Sequence, residues 1–284
     1  MINFASKMKN WSYLLLLFIL INACKSSYEK VRTSNDPILI YKAANDYYAK
    51  KDYIRAQSLF ESILTNYRGQ KEAEEIYFKY AYCHYYVQEF EMSSHLFKNF
   101  SSTFVNSPKK EEAEYMSVYS IYKLSPSYRL DQTSTEKAID GFQSFANNNP
   151  ESSRVNECNK IIDELRAKLE VKLLEQGNLY YDLRNYQAAV SSFEHLITEF
   201  PETKNQQEVR YLILKSHYEL ATNSIFEKQE ERYKETLIKA EQFLERYKSG
   251  KKIAEVKEIK KNTIQKLKNP EYDRYKNSSA GNKS

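Results

Sequence analysis

Aromatic side chains recur at one fixed interval along the first half of the chain. Eight of them, together with Asn45, form three rows with a spacing of 37 residues: Tyr48, Tyr85 and Tyr122; Tyr41, Phe78 and Tyr115; and Asn45, Tyr82 and Tyr119. A tyrosine combines a large apolar ring with a hydroxyl that can donate or accept a hydrogen bond. If one structural unit repeats at this interval, equivalent residues lie side by side on one surface. The rows therefore predict a groove that holds an extended peptide; the alternative is that some of these rings pack between neighbouring repeats.

Patterns typical of catalysis or metal binding are missing from the sequence. The four histidines are scattered, with neither a His-Glu-x-x-His motif nor a second histidine or cysteine at ligand spacing. The sequence contains no glycine-rich phosphate loop, and its carboxylates alternate with lysines, as they do on solvated helix faces. We therefore expect no catalytic residue, no metal ligand and no cofactor.

Cys24 ends a segment with the features of an export signal. Lys7 and Lys9 precede an apolar run, residues 11 to 21, which is far shorter than the roughly 20 residues that span a bilayer. The sequence Ile21-Asn22-Ala23-Cys24 resembles a bacterial lipobox, in which residues 1 to 23 are removed and the cysteine becomes a lipidated N-terminus. Several acyl chains would make this membrane anchor stable. An ordinary secretory peptide is the alternative.

The residues after Cys24 favour the periplasmic face of the outer membrane. Lys25-Ser26-Ser27 lacks the aspartate that resembles an inner-membrane retention signal, and it lacks the acidic run that sends some lipoproteins to the outer face. Residues 24 to 36 are polar and predict a lipidated, flexible tether. Asn35-Asp36-Pro37 then predicts a helix start, with a capping acid and a proline in the first turn.

Composition and charge favour a helical protein that does not bind nucleic acid. Five glycines and six prolines in 284 residues provide few turn formers for hairpins. Residues 248 to 284 carry 11 basic and 4 acidic side chains, whereas residues 25 to 247 have a net charge near −4. A nucleic-acid-binding protein is usually basic over its folded part. The remaining cysteines, Cys83 and Cys158, lie far apart in sequence and are expected to be separately buried thiols.

The stretch 173 to 201 predicts two packed helices joined by a tight turn near Arg184 and Asn185. Gly177 allows a close helix approach, Phe193 lies on the buried face, and Pro201 cannot continue the second helix. The stretch has a small residue three positions before a Tyr, followed by Ala, Phe and a terminal Pro. This pattern resembles the signature of a tetratricopeptide repeat. Five copies are visible in the chain. The small residue recurs as Ala44, Ala81, Val118 and Gly177; the second-helix stripe recurs as Ala56, Ser93, Ala138, Ala189 and Thr236, followed by Phe60, Phe97, Phe142, Phe193 and Ala240.

These repeats predict one tetratricopeptide solenoid over residues 37 to 268, with a disordered tail at 269 to 284. Copy three contains a longer loop, residues 125 to 132, before a predicted capping box at Thr133–Glu136. Copy five has a long connection predicted at residues 223 to 232, with helical ends. A last basic helix, about 251 to 267, would cover the end of the array.

The chain combines three features: a lipobox, five repeats and the irregular segment Tyr128-Arg129-Leu130-Asp131-Gln132-Thr133. In this combination it resembles the BamD family of outer-membrane lipoproteins, part of the β-barrel assembly machinery. The likeness covers about residues 24 to 267. It implies that the C-terminal repeats dock on the periplasmic domains of the barrel subunit BamA. It also implies that the N-terminal repeats hold the C-terminal strand of an unfolded outer-membrane protein. Val118 and Asn149 depart from the repeat pattern, both in copy three.

Another membrane-anchored repeat lipoprotein is the main alternative function, such as a scaffold for cell division or for peptidoglycan machinery. A lytic glycosidase built on a helical solenoid would need a separate domain that places a catalytic acid. Once the repeats are assigned, the chain has no room for such a domain. The sequence therefore predicts a binding protein and not an enzyme.

Overall fold

Every regular element in residues 27–268, the range that the computed structural model describes, is an α-helix. The predicted all-α fold is therefore confirmed. The helices are α1 Ser27–Arg32, α2 Pro37–Ala49, α3 Tyr53–Ile63, α4 Ala73–Tyr86, α5 Phe90–Thr103, α6 Lys110–Lys123, α7 Thr133–Asn148, α8 Val155–Asp182, α9 Tyr186–Glu199, α10 Gln206–Thr222, α11 Phe226–Arg246 and α12 Ile253–Lys268. None of these helices is both long enough and apolar enough to cross a membrane. The predicted signal peptide, Cys24 and the predicted tail lie outside the described residues.

The chain divides into two compact units. Unit 1 consists of Met1–Pro126 and Thr133–Ile162, and unit 2 consists of Ser127–Gln132 and Asp163–Ser284. Helix α8, at 28 residues, contributes its beginning to unit 1 and the rest to unit 2. The sequence patterns did not predict this long helix, because its first half lies outside the recognised repeat positions.

Unit 1 contains copies one to three as the helix pairs α2 and α3, α4 and α5, and α6 and α7. The predicted small residues Ala44 and Ala81 have no exposed surface, which lets the paired helices approach closely. The predicted second-helix stripe is buried as well: Ala56, Phe60, Ser93, Phe97, Ala138 and Phe142. The repeat pattern read from the sequence therefore describes the core of this unit.

The turn between the two helices of a repeat has a recurring backbone conformation. Lys51, Gln88 and Arg184 adopt φ angles of 61°, 67° and 58°, in the left-handed region that glycine usually occupies. The residue after Lys51 or Arg184 caps the second helix: the side chains of Asp52 and Asn185 each accept a hydrogen bond from a backbone N–H group of that helix. The tight turn predicted near Arg184 is confirmed.

The irregular loop of copy three belongs to unit 2 and is closed by its own polar groups. The side-chain amide of Gln132 is buried and donates to the carbonyls of Ser127 and Leu130, at 2.8 and 2.9 Å. The Lys172 ammonium on α8 donates to the carbonyls of Tyr128 and Leu130, at 3.2 and 2.7 Å. These bonds satisfy loop carbonyls that no helix pairs.

Unit 2 contains copies four and five and the terminal helix. Gly177 on α8 lies so close to Phe193 on α9 that an added Cβ would be 2.4 Å from the ring. Helix α12 closes the unit: Val256 and Ile259 join a core with Tyr211, Leu214 and Phe243. The helix predicted at about 251 to 267 is therefore present, at Ile253–Lys268.

Two predictions about connecting segments need correction. The tether expected to be flexible contains α1, whose Tyr28 ring packs edge-on against Tyr47 of α2 at 5.7 Å. The long connection expected at 223 to 232 with helical ends is shorter than predicted, because its helical part begins already at Phe226. Residues 226 to 232 are rich in strong helix formers, and pairs such as Glu230–Lys234, at 2.6 Å, support the helix across one turn. Only residues 223 to 225 connect α10 to α11.

Candidate functional site

The three predicted rows lie on the first helices of copies one to three, α2, α4 and α6. Phe78 and Tyr115 are 8% and 3% exposed, so these two rings pack in the core. Packing of some rings between repeats was the alternative to the groove in the sequence analysis. The other predicted aromatic residues are half-buried and keep part of the ring accessible: Tyr41, Tyr48, Tyr82, Tyr85, Tyr119 and Tyr122. We call these six residues the tyrosine surface.

Adjacent repeats bring members of the tyrosine surface into ring contact. The centroids of Tyr85 on α4 and Tyr119 on α6 are 6.3 Å apart, and Tyr119 lies 5.4 Å from Tyr122. Tyr82 is 6.5 Å from Tyr85. Edge-on and tilted arrangements at these distances are favourable for aromatic pairs. The surface therefore continues from one repeat to the next.

Two further rings, which the sequence analysis did not select, link copy one to this surface. Tyr53 lies 5.5 Å from Tyr48 and stacks on Tyr86 at 4.2 Å, and Tyr86 in turn lies 5.7 Å from Tyr82. A sequence signal existed for Tyr53, since Phe90 follows it at the same interval of 37 residues. For Tyr86 no row exists, because the equivalent residues are Ala49 and Lys123.

An aromatic pair at the end of the first helix recurs in three copies. The pairs are Tyr48 with Tyr53, Tyr85 with Phe90, and Tyr181 with Tyr186, with centroids 5.5, 5.6 and 5.4 Å apart. Tyr181 follows Gly177 by four positions, as Tyr48 follows Ala44. It is therefore the copy-four equivalent of the Tyr48 row, in unit 2, and aligning the rows on the small residue would have found it.

A charged cluster borders the tyrosine surface between copies one and two. The Tyr41 hydroxyl donates to Glu75 at 3.1 Å, and the Lys79 ammonium donates to Asn45 at 2.7 Å and also pairs with Glu75. The same ammonium lies 5.6 Å from the centroid of the Tyr48 ring, within range of a cation–π interaction. This cluster fixes two rings and leaves a cation beside them.

The corresponding acid of the next repeat, Glu112, accepts a hydrogen bond from the Tyr82 hydroxyl. Burial, and then this carboxylate, raise the pKa of Tyr82 well above its usual range. Burial likewise raises the pKa of Tyr48 and, together with the neighbouring Tyr119, that of Tyr85. Phenols with raised pKa values stay protonated at neutral pH and donate hydrogen bonds. The surface can thus bind through rings and hydroxyl donors.

Groups suited to catalysis are not assembled around these rings. Within residues 27–268 no set of histidine, cysteine, aspartate and glutamate side chains could hold a metal ion. Cys83 and Cys158 are buried, and burial raises their pKa values to about 12 and about 11, so neither thiol is an activated nucleophile. The rings and phenol hydroxyls of the tyrosine surface can bind a ligand by packing and hydrogen bonding.

Unit 2 carries a cleft of about 620 Å³ between α9, α10 and α11, which contains no residue of the tyrosine surface. An ion pair between Glu194 and Lys239, at 2.7 Å, crosses it. Apart from this bridge the cleft is open and mixed in polarity. We therefore take the tyrosine surface as the candidate site, because its residues repeat with the fold and the cleft residues do not.

Comparison with known proteins identifies the family. Residues 33–232 match the family described as Outer membrane lipoprotein, YfiO, a range that includes α2 to α10 and the whole tyrosine surface. Outer membrane protein assembly factor BamD of Rickettsia prowazekii (strain Madrid E) is 24% identical over 210 residues, which cover 72% of this chain and 82% of that protein. Since the family match spans more than half of the chain and all the residues of the candidate site, this protein belongs to the BamD-like outer membrane lipoprotein family.

Proposed function

We propose that this protein is the BamD component of an outer-membrane β-barrel assembly machinery, anchored through Cys24 to the periplasmic face of the outer membrane. It binds unfolded outer-membrane proteins and the barrel-forming subunit, and it performs no catalysis. The observation that carries this proposal is the half-exposed tyrosine surface in a chain of the outer membrane lipoprotein family. The name of the Rickettsia relative, an outer membrane protein assembly factor, supports the same role.

The tyrosine surface is the proposed binding site for the C-terminal segment of an unfolded barrel protein. Such a segment alternates apolar and polar side chains because it becomes a β-strand of a barrel. Rings of Tyr48, Tyr85 and Tyr122 would contact its apolar side chains. Hydroxyl groups that stay protonated, together with Lys79, would bond its carbonyl or carboxylate oxygens.

Unit 2 is the proposed docking region for the periplasmic domains of the BamA-like subunit. Its helices form a compact unit of their own, with a basic terminal helix, α12. The presence of two compact units agrees with this assignment, since substrate and partner would then bind to surfaces of different units. The rival function, an envelope scaffold for division or peptidoglycan enzymes, would use the same repeats for other partners.

A pulldown distinguishes the two functions. The tagged full-length protein is solubilised in mild detergent, and bound proteins are identified by mass spectrometry. We expect a barrel protein with periplasmic domains to be recovered. Recovery of division or peptidoglycan enzymes without such a barrel would overturn the assignment to barrel assembly and favour the rival.

The peptide site is tested by removing rings from the tyrosine surface. The triple variant Tyr48→Ala, Tyr85→Ala and Tyr122→Ala is expected to weaken binding of a barrel C-terminal peptide by at least about tenfold, since each aromatic contact contributes about 0.5–1.5 kcal/mol. A matched control removes three half-buried tyrosines of unit 2 that are not equivalent to the tested row: Tyr180, Tyr186 and Tyr247. Affinity is measured by fluorescence anisotropy, and helicity by circular dichroism. Equal losses in both folded triple variants would refute the site.

A further inference from the structure

The N-terminal end of α1 is fixed to one end of unit 1. Tyr28, the second residue of α1, packs against Tyr47 near the end of α2, with ring centroids 5.7 Å apart. The Arg55 guanidinium at the start of α3 lies 5.6 Å from both ring centroids. Helix α1 therefore begins beside the turn that joins α2 to α3.

Only a short chain separates this turn from the proposed lipid anchor. Cys24 precedes Tyr28 by four residues, and four residues span at most about 14 Å even when fully extended. A lipidated cysteine has its acyl chains in the bilayer. Tyr28 thus lies within about 14 Å of the proposed anchor, and the α2–α3 turn packs beside Tyr28.

The residues of this turn have the composition of an interfacial surface. Ile54 is 71% exposed, although isoleucine is normally buried. Lys50 and Lys51 are exposed, and the acid that follows them, Asp52, pairs with Arg55 at 2.8 Å. The Tyr53 ring stacks on Tyr86, which is 45% exposed. Exposed isoleucine, tyrosine and lysine together suit the boundary between headgroups and acyl chains.

We propose that the α2–α3 turn, Lys50 to Ile54, together with Tyr86, is a membrane-contact surface. Its partner is the anionic lipid interface next to the anchor, with Ile54 inserted among the acyl chains and the two lysines at lipid phosphates. This inference rests on the proposed lipidation of Cys24. The short connection from the anchor and the positive charge at the turn both favour a bilayer as the occupant.

A consequence concerns the tyrosine surface, which begins at the same turn. Tyr53 contacts Tyr48, and Tyr86 contacts Tyr82. One end of the proposed peptide site therefore lies at the membrane interface. A bound barrel segment would be presented close to the bilayer that receives it.

A tryptophan reporter tests the contact directly. The chain contains one tryptophan, Trp11, inside the segment predicted to be removed, so Ile54→Trp introduces the only tryptophan of the mature protein. The matched control is Ile38→Trp, because Ile38 is 75% exposed in the first turn of α2, roughly 18 Å along the helix from Lys50. The full-length lipidated variants are reconstituted into phosphatidylethanolamine and phosphatidylglycerol vesicles that contain brominated lipids.

We expect at least twofold stronger bromine quenching of Trp at position 54 than at position 38, with a blue-shifted emission. Adding Lys50→Glu and Lys51→Glu to Ile54→Trp should reduce that quenching. Equal quenching at both positions in membrane-bound protein, or no effect of charge reversal, would overturn the proposal. Mass spectrometry of the mature N-terminus tests the anchor separately, and the pulldown and peptide assays test the proposed function, so the three failures can be told apart.

Discussion

At the scale of single residues, the two buried histidines differ in their surroundings. His84 lies 2.6 Å from a Glu89 oxygen, with the Gln57 amide at 3.0 Å. His217 on α10 is 8% exposed, and neither of its ring nitrogens has a hydrogen-bond partner among the described residues. Its nearest carboxylate, Glu235, is 3.7 Å away. Burial lowers the pKa of both rings; for His217 the neighbouring Lys239 lowers it further, against the opposing effects of Glu194 and Glu235.

His217 should therefore make folding sensitive to acid. Because its folded pKa lies below the ordinary value of 6.5, the unfolded chain binds the proton more readily, and stability is lost as pH falls below about 6.5. We expect the free energy of unfolding to drop less between pH 7.5 and pH 5.5 in His217→Phe than in the wild type. Urea unfolding at both pH values measures this. His195→Phe, at an exposed position of α9, is the control for the loss of a histidine. Parallel curves for His217→Phe and the wild type would contradict the prediction.

At the scale of elements, copy three compensates for its departure from the repeat. Val118 occupies the position where copies one and two have alanine, and the facing residue on α7 is Gly141, where copies one and two have Leu59 and Leu96. A Cβ added to Gly141 would lie 2.7 Å from a Val118 methyl. In copy three the larger residue of the pair thus lies on the first helix and the smaller one on the second, the reverse of copies one and two. This exchange keeps the helices close without an overlap.

A double-mutant cycle tests this exchange. Gly141→Ala alone should lower the free energy of unfolding by about 1–2 kcal/mol, because overpacking against Val118 outweighs the gain in helix propensity. Adding Val118→Ala should recover most of that loss, since it removes the methyl groups that clash. The coupling is measured by urea unfolding of the two single variants and the double variant. Additive costs would show that the two side chains do not share one packing site.

A recurring hydrogen-bond arrangement joins neighbouring repeats. A serine or threonine in the turn before a first helix accepts a hydrogen bond from the backbone two residues later and donates to a glutamate of the preceding first helix. The three instances are Ser107 with Glu74, Ser152 with Glu111, and Thr203 with Glu170, at 2.7, 2.6 and 2.5 Å. Each glutamate precedes the small residue of its copy by seven positions. Such side-chain bonds take the place of a helix cap at these turns.

The sequence was sufficient to predict what depends on local periodicity. The helix pairs, the buried stripe from Ala56 to Ala240, and the turn at Arg184 all follow from spacing, because each repeat buries the same face. Exposure did not follow from spacing: Tyr41, Phe78 and Tyr115 share one row, yet the last two are buried by the phenylalanines of their own second helices. Helix α1 could not be predicted either, since its position depends on Tyr28 meeting Tyr47, a contact between segments.

At the scale of the whole molecule, the chain combines two compact units with a helix that contributes to both. Repeat proteins gain stability from contacts within a repeat and with its neighbours. Phe60 in copy one and Phe243 in copy five are both buried, at 0% and 3% exposure, and each packs in its own unit. A defect at one of them should therefore remain local unless α8 transmits it.

Hydrogen–deuterium exchange on the full-length protein tests how far such a defect spreads. Phe60→Ala removes a ring from the core of copy one, a change that typically costs about 3–5 kcal/mol. We expect faster amide exchange in α2 to α4 and unchanged exchange in α10 to α12, because no residue of those helices belongs to unit 1. Phe243→Ala is the reciprocal control and should accelerate exchange in α10 to α12 alone. A uniform increase in every helix, from either variant, would mean that the two units unfold as one. In that case the proposed substrate binding by unit 1 and the proposed partner docking by unit 2 would be energetically coupled, whereas local responses would allow each surface to act independently.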